Sequence, residues 1–164
     1  GTVLESQDKY EEAEAMHQRA LKGYEKVFGP EHPDTLTSVN NLGMVLESQG
    51  KYEEAEAIHR RALEGYEKVL GPEHSDTLTS HPDTLTGVNN LGSVLESQGK
   101  YEEAEAMHRR ALEGKEKVLG LEHSDTLTSV GNLGMVLEKQ GNYEGAEAMY
   151  WRDLNGSEKV LGPE

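Results

Sequence analysis

The sequence predicts an all-α chain: a solenoid of antiparallel helical hairpins. Three observations point to it. A block of about twenty residues recurs four times, as "YEEAEAMHQRALKGYEKVFG", "YEEAEAIHRRALEGYEKVLG", "YEEAEAMHRRALEGKEKVLG" and "YEGAEAMYWRDLNGSEKVLG", opening at Tyr10, Tyr52, Tyr101 and Tyr143. The intervals are 42, 49 and 42 residues, within the range of tandem structural repeats. Each period divides into two helix-length amphipathic segments, and only 34% of the 164 residues are hydrophobic. That content is thin for one closed core, so each apolar stripe is expected to pack on its neighbours. The whole of 1–164 reads as a single array: a partial repeat 1–29, a repeat 30–71, a repeat 72–120 with a seven-residue insertion, and a repeat 121–162.

Residues 1–7 match 43–49, so the sequence opens inside a first helix, and the block from Tyr10 supplies a second. In the next repeat, "DTLTSVNNLGMVLESQG" predicts a first helix from Asp34 to Gly50. Asp34 suits the N-cap, where its carboxylate accepts from free first-turn amides. Gly50 suits the left-handed residue after the last turn. Leu36, Val39, Leu42, Gly43 and Leu46 form its apolar stripe. The second helix is expected from about Lys51 to Leu70, closed by Gly71-Pro72, with Tyr52, Ala55, His59, Ala62, Tyr66 and Val69 facing inward. Glu53, Glu54 and Glu56 complement the positive end of its dipole. Glu56 with Arg60 and Glu64 with Lys68 are favourable i,i+4 pairs. Gly65 costs about 1 kcal/mol against alanine in mid-helix, and the sequence offers no reason for it beyond room for a close helix contact.

The third repeat contains a stutter, "HSDTLTSHPDTLTG", residues 74–87. A helix begun at Asp76 would enclose Pro82, at a cost of about 3 kcal/mol. A longer loop costs far less, about 0.6 kcal/mol per doubling. The expectation is therefore that Asp83 caps the helix and that 71–82 form an extended loop. A neutral duplication on the solvent edge accounts for it, since loops tolerate insertion; the competing reading is a loop that reaches a ligand. In the fourth repeat Tyr150, Trp151, Asp153 and Asn155 depart from the pattern, and Asp153 stands where Ala62 and Ala111 are expected to pack.

Leu42-Gly43, Leu46, Gly50-Lys51-Tyr52, Ala55 and Ala62-Leu63 fall where the tetratricopeptide repeat keeps its small and large packing residues. The 42-residue period, with "VLGPEHPDTLTSVNNLG" between blocks, resembles the kinesin light chain type. Near-identical units of this kind also resemble the sensor arrays of NOD-like signalling proteins. The resemblance implies a right-handed superhelix whose first helices line a concave groove. The positions it places in the groove are Thr37, Asn40, Asn41, Met44, Glu47 and Ser48; Asn89, Asn90, Ser93, Glu96 and Ser97; and Gly131, Asn132, Met135, Glu138 and Lys139. Each Asn amide can donate and accept along an extended peptide. Asn41, Asn90 and Asn132 are favoured for ligand contact, with others bonding a neighbouring helix. Glu47, Glu96 and Glu138 make the floor acidic, and Lys139 alone is basic. Capture of a C-terminal carboxylate or of an acidic, tryptophan-containing cargo motif runs against that charge.

Composition narrows the function. Thirty-one acidic against 16 basic side chains give a formal charge of −15, which opposes binding to nucleic acid or to an anionic membrane and favours a neutral to basic protein or peptide partner. There is no cysteine, hence no disulfide framework or thiolate nucleophile. No apolar stretch approaches the length of a membrane span, and no signal peptide is evident; a soluble, cytoplasmic protein is expected. His17, His59 and His108 sit at packing positions of second helices. His32, His74, His81 and His123 lie in Glu-His-(Pro/Ser)-Asp loops, each with too few ligands to hold a metal. Arg60-Arg61 and Arg109-Arg110 read as salt-bridged helix surface. No catalytic constellation, metal or cofactor site is expected. The reading is a non-enzymatic protein-interaction scaffold. Its rivals are end-to-end self-association and the ligand-sensing region of a NOD-like protein.

Overall fold

The structure, a computed structural model, describes residues 2–70 and 82–161. Those residues form seven α-helices: α1 Thr2–Phe28, α2 Pro33–Ser48, α3 Tyr52–Leu70, α4 Pro82–Ser97, α5 Tyr101–Leu119, α6 Ser124–Lys139 and α7 Tyr143–Leu161. They fall into two compact units, Gly1–His74 and Ser75–Glu164. In the first unit α2 packs on both α1 and α3. In the second, α4 pairs with α5 and α6 with α7, and α5 also packs on α6.

The predicted first-helix stripe is the core. Leu36, Val39, Leu42, Gly43 and Leu46 are buried. Their counterparts Leu85, Val88, Leu91, Leu95, Leu127, Val130, Leu133 and Leu137 are also buried. On α3 the buried set is Ala55, His59, Ala62, Leu63 and Tyr66; Tyr52 and Val69, expected inward, are exposed at the two ends of the helix. Packing around Gly65 is very close. A Cβ there would lie 2.3 Å from Leu36 Cδ2, and one at Gly156 2.4 Å from Leu127 Cδ2. A close helix contact thus accounts for Gly65, which the sequence left without a reason.

Each hairpin turns through one left-handed glycine. Gly50, Gly99 and Gly141 have φ of 75°, 76° and 80°. After them Lys51, Lys100 and Asn142 donate their backbone N–H to Leu46, Leu95 and Leu137, each at 2.9 Å, which is the Schellman closure of the preceding helix. Asp8 occupies the matching position of the partial repeat. A side chain there makes positive φ costly, and the chain does not turn. Residues 2–28 run as one helix, rather than as the end of one helix and the start of another.

Two capping expectations change. The helix begins at Pro33, and the N-cap is His32, whose Nδ1 accepts from the Asp34 N–H at 3.2 Å. His123 repeats this on Asp125 at 3.1 Å. Asp34 therefore lies inside the first turn, where its charge suits the dipole, and proline sits at N1, where it lacks only an orphan donor. Likewise α4 starts at Pro82, one residue before the predicted cap Asp83. The rest of the expected 71–82 loop, with His74 and His81, lies outside the described residues. Glu56 pairs with Arg60 at 2.9 Å as expected, whereas Lys68 turns to Glu31 at 3.5 Å instead of Glu64.

Candidate functional site

The first-helix face begins at α2. Asn40 is buried, and the Nδ1–H of His59 donates to its Oδ1 at 3.1 Å. This corrects its placement in the groove: Asn40 ties α2 to α3 and is not open to a ligand. His59 lies flat against Gly43, where a Cβ would come within 2.5 Å of its ring. It is fully buried, and burial pushes its pKa down to about 4, so it is neutral at pH 7. Asn41 and Met44 are exposed, and Thr37 shares a 3.2 Å hydrogen bond with Tyr66. Ser48 donates to the Met44 carbonyl. Glu47 is half-buried.

In the second unit α4 and α6 lie side by side, joined by two bridges in the same register. Asn132 Nδ2 donates to Asn89 Oδ1 at 3.0 Å, and Lys139 Nζ meets Glu96 Oε1 at 2.7 Å. The bridges are seven residues apart, about 10 Å along each helix. Beside them are Asn90, Ser93 and Met135; Met135 is exposed, and Ser93 donates to the Asn89 carbonyl at 3.3 Å. Asn90 Nδ2 is shielded and has no partner among the described residues. Asn132, expected to be free for ligand, is instead engaged with Asn89.

The acidic floor is also partly neutralised. The His108 imidazole, with Nε2 at 3.6 Å, and then the Lys139 ammonium hold Glu96 below the usual carboxylate range. Lys139 is correspondingly raised by its hydrogen bond to Glu96. Glu138 accepts from Tyr150 Oη at 2.7 Å, and that bond pushes the Tyr150 phenol up to about 12. Ser97 is exposed; Gly131 faces Asp153, whose Oδ2 would lie 3.6 Å from an added Cβ. Asp153 is thus half-exposed against α6, where Ala62 and Ala111 are buried in earlier repeats.

Among the described residues no cluster of three or more His, Cys, Asp or Glu side chains is arranged to hold a metal, and no helix is long and apolar enough to cross a membrane. His59 and His108 are completely buried packing residues, while His17 is half-buried.

One set of contacts went unpredicted. Glu14 on α1 accepts from Gln49 Nε2 at 2.9 Å and from Lys51 Nζ at 2.8 Å. Glu25 pairs with Arg61, and Glu116 with Arg152. These carboxylates clip α1 to the α2–α3 hairpin and α5 to the α6–α7 hairpin. Arg61 fits the expectation of a salt-bridged helix surface, but its partner lies on the preceding helix and not on its own.

The tetratricopeptide repeat family matches residues 1–68, 37–81 and 83–152. A search of the curated proteins finds no match. Among solved structures, BtubC (BKLC) from P. vanneervenii is 25% identical with a TM-score of 0.81, over 96% of this chain and 60% of that one. This chain therefore spans about three fifths of BtubC. The TPR domain of Arabidopsis FLU is 22% identical with a TM-score of 0.63, over 76% of this chain and 95% of that one, a likeness of fold alone. The nearly identical TPR-like repeats of a Podosopora anserina protein described as a kinesin light chain are 18% identical over 96% of this chain and 92% of that one, at a TM-score of 0.49. That overlap is too loose to argue from. With hairpins of this geometry and a family match along most of its length, the chain belongs to the tetratricopeptide repeat family.

Proposed function

We propose that this chain is a non-catalytic scaffold that binds a partner protein through an extended, neutral to basic segment lying along the first-helix faces. Family membership supports the interaction role. The finer reading rests on one observation: Asn41 and Met44 are exposed three residues apart on α2. An extended backbone can both donate to and accept from the exposed Asn41 amide, and a thioether such as Met44 adapts to varied side chains. Met135 offers the same apolar contact on α6. Because Glu96 is matched by Lys139, the remaining attraction for a basic segment comes from the overall charge of −15.

The test is selection from a displayed library of extended peptides, followed by comparison with Asn41→Ala, Asn90→Ala and Asn132→Ala combined. Selected peptides should bind the variant at least tenfold more weakly. Equal binding would place the surface elsewhere.

A further inference from the structure

Lys115 breaks the repeat at a packing position. Its counterparts are Tyr24 on α1, Tyr66 on α3 and Ser157 on α7. Tyr66 shows what the position accommodates: it is 3% exposed, and its phenol shares a hydrogen bond with Thr37. Lys115 puts a primary amine in that tyrosine-sized slot, half-buried where α5 packs on α6.

The surroundings favour the uncharged amine. Its one hydrogen bond among the described residues runs from Nζ to the Asp125 backbone carbonyl, at 3.2 Å. A backbone carbonyl has no charge to balance an ammonium, and a neutral amine can donate to it as well. The Asp125 carboxylate itself is 65% exposed, with Oδ2 3.9 Å from His123 Nδ1. Asp125 also lies in the first turn of α6, the positive end of that helix's dipole, which disfavours a cation. Burial draws the Lys115 pKa below the usual lysine range, against the pull of Asp125. Lys51 and Lys139 are treated in the opposite way. They meet Glu14 and Glu96 at 2.8 and 2.7 Å, and each pairing holds its lysine charged.

We propose that Lys115, set in a tyrosine slot at the α5–α6 contact with only a backbone carbonyl to bond, is a nucleophilic lysine and a site of acylation by a small acyl phosphate. The lone pair of the neutral Nζ attacks the acyl carbon. The bond from that carbon to the phosphate oxygen breaks, and the proton shed by nitrogen leaves on the phosphate. The amide that forms carries no charge, so burial no longer opposes it, and it keeps one N–H for the Asp125 carbonyl. Acylation therefore relieves a charge that this slot holds poorly, and it marks the contact between two successive hairpins. The proposal does not rest on the groove reading.

Partial labelling of the 164-residue chain with acetyl phosphate, read lysine by lysine by peptide mass spectrometry, tests this. The same labelling in guanidinium, where every lysine is open, gives the reference. Folding should raise the labelling of Lys115 relative to Lys51 and Lys139 by at least about threefold over that reference. As pH rises, labelling of the folded chain should also level off earlier at Lys115 than at Lys139, which Glu96 keeps charged. A ratio that folding leaves unchanged or lowers overturns the proposal, because the amine is then either protonated or closed off, as a merely structural lysine would be. So does a pH curve for Lys115 that coincides with that of Lys139 or lags behind it.

Discussion

Replacing Gly43 with alanine sets two effects of known size against each other. In an open helix the change stabilises by about 1 kcal/mol, because alanine loses less backbone freedom than glycine. Gly23 is such a site: nothing lies within 4 Å of a Cβ built on it. At Gly43 the same methyl would sit 2.5, 2.6 and 2.9 Å from three atoms of the His59 ring. That ring is rigid, fully buried and hydrogen-bonded to Asn40, so it has no free direction in which to yield. Overpacking a tight core costs about 1–3 kcal/mol, and loss of the Asn40 bond adds about 1 kcal/mol. Gly43→Ala should therefore be destabilising by about 1–3 kcal/mol net, with opposite sign to Gly23→Ala. Urea unfolding followed by circular dichroism at the helix band measures both. A Gly43→Ala protein as stable as Gly23→Ala would refute the argument that His59 closes on glycine because only glycine leaves room.

Three further outcomes follow from the same geometry. Glu14→Ala removes the acceptor shared by Gln49 and Lys51 and should lower the unfolding free energy by about 1 kcal/mol, measured by urea titration; an unchanged midpoint would show that the clip contributes nothing. His59 is a base held neutral by burial, with its pKa near 4 against 6.5 when exposed. The unfolded chain thus binds more protons between those values, and stability present at pH 7 should fall as pH drops from about 6.5 towards 4, by up to about 3 kcal/mol. Lowered carboxylates such as Glu14 and Glu96 add their own loss below about pH 4.5, so the His59 share is read as the difference in pH slope between wild type and His59→Phe; parallel slopes would reject it. Asp8→Gly should let the chain turn before Tyr10, as it does at Gly50. Lower protection of the residue 8–10 amides in hydrogen exchange would show the break, and unchanged protection would mean that glycine is not what decides the turn.

The first helices and their buried stripes were legible because period and composition agree there: Leu36, Val39, Leu42 and Leu46 repeat with helical spacing and all are buried. The caps were misread by two residues for a chemical reason. Aspartate is the commoner N-cap, and the Glu-His-Pro-Asp loop offers both. Proline at N1 fixes the start at Pro33, which leaves the preceding His32 imidazole as the group within reach of the Asp34 amide. The glutamates of the inter-hairpin clip were hidden for a different reason. Residues that suit a first-turn dipole and residues that meet the next hairpin are both written as Glu in this repeat, and only the path of the following chain separates them.

The candidate site shows where near-identity of sequence stops implying identity of role. Asn40 and Asn89 occupy the same repeat position, yet Asn40 is buried on His59 while Asn89 reaches across to Asn132. The bases beneath them differ in partner: His108 approaches Glu96, which is itself held by Lys139 of α6. Lys139 stands where Ser48 and Ser97 stand in earlier repeats. One lysine thus fixes Glu96 near His108, and His108 has no hydrogen bond to Asn89 as His59 has to Asn40. Asn89 is free to bridge to Asn132, and Asn90 keeps an unmatched donor. The lysine at the end of α6 thus accompanies a change of role at one repeat position, from Asn40 bonded to His59 to Asn89 bonded to Asn132. On this view Lys139→Ser should return Asn89 towards His108 and free Asn132, altering the groove without touching a groove amide.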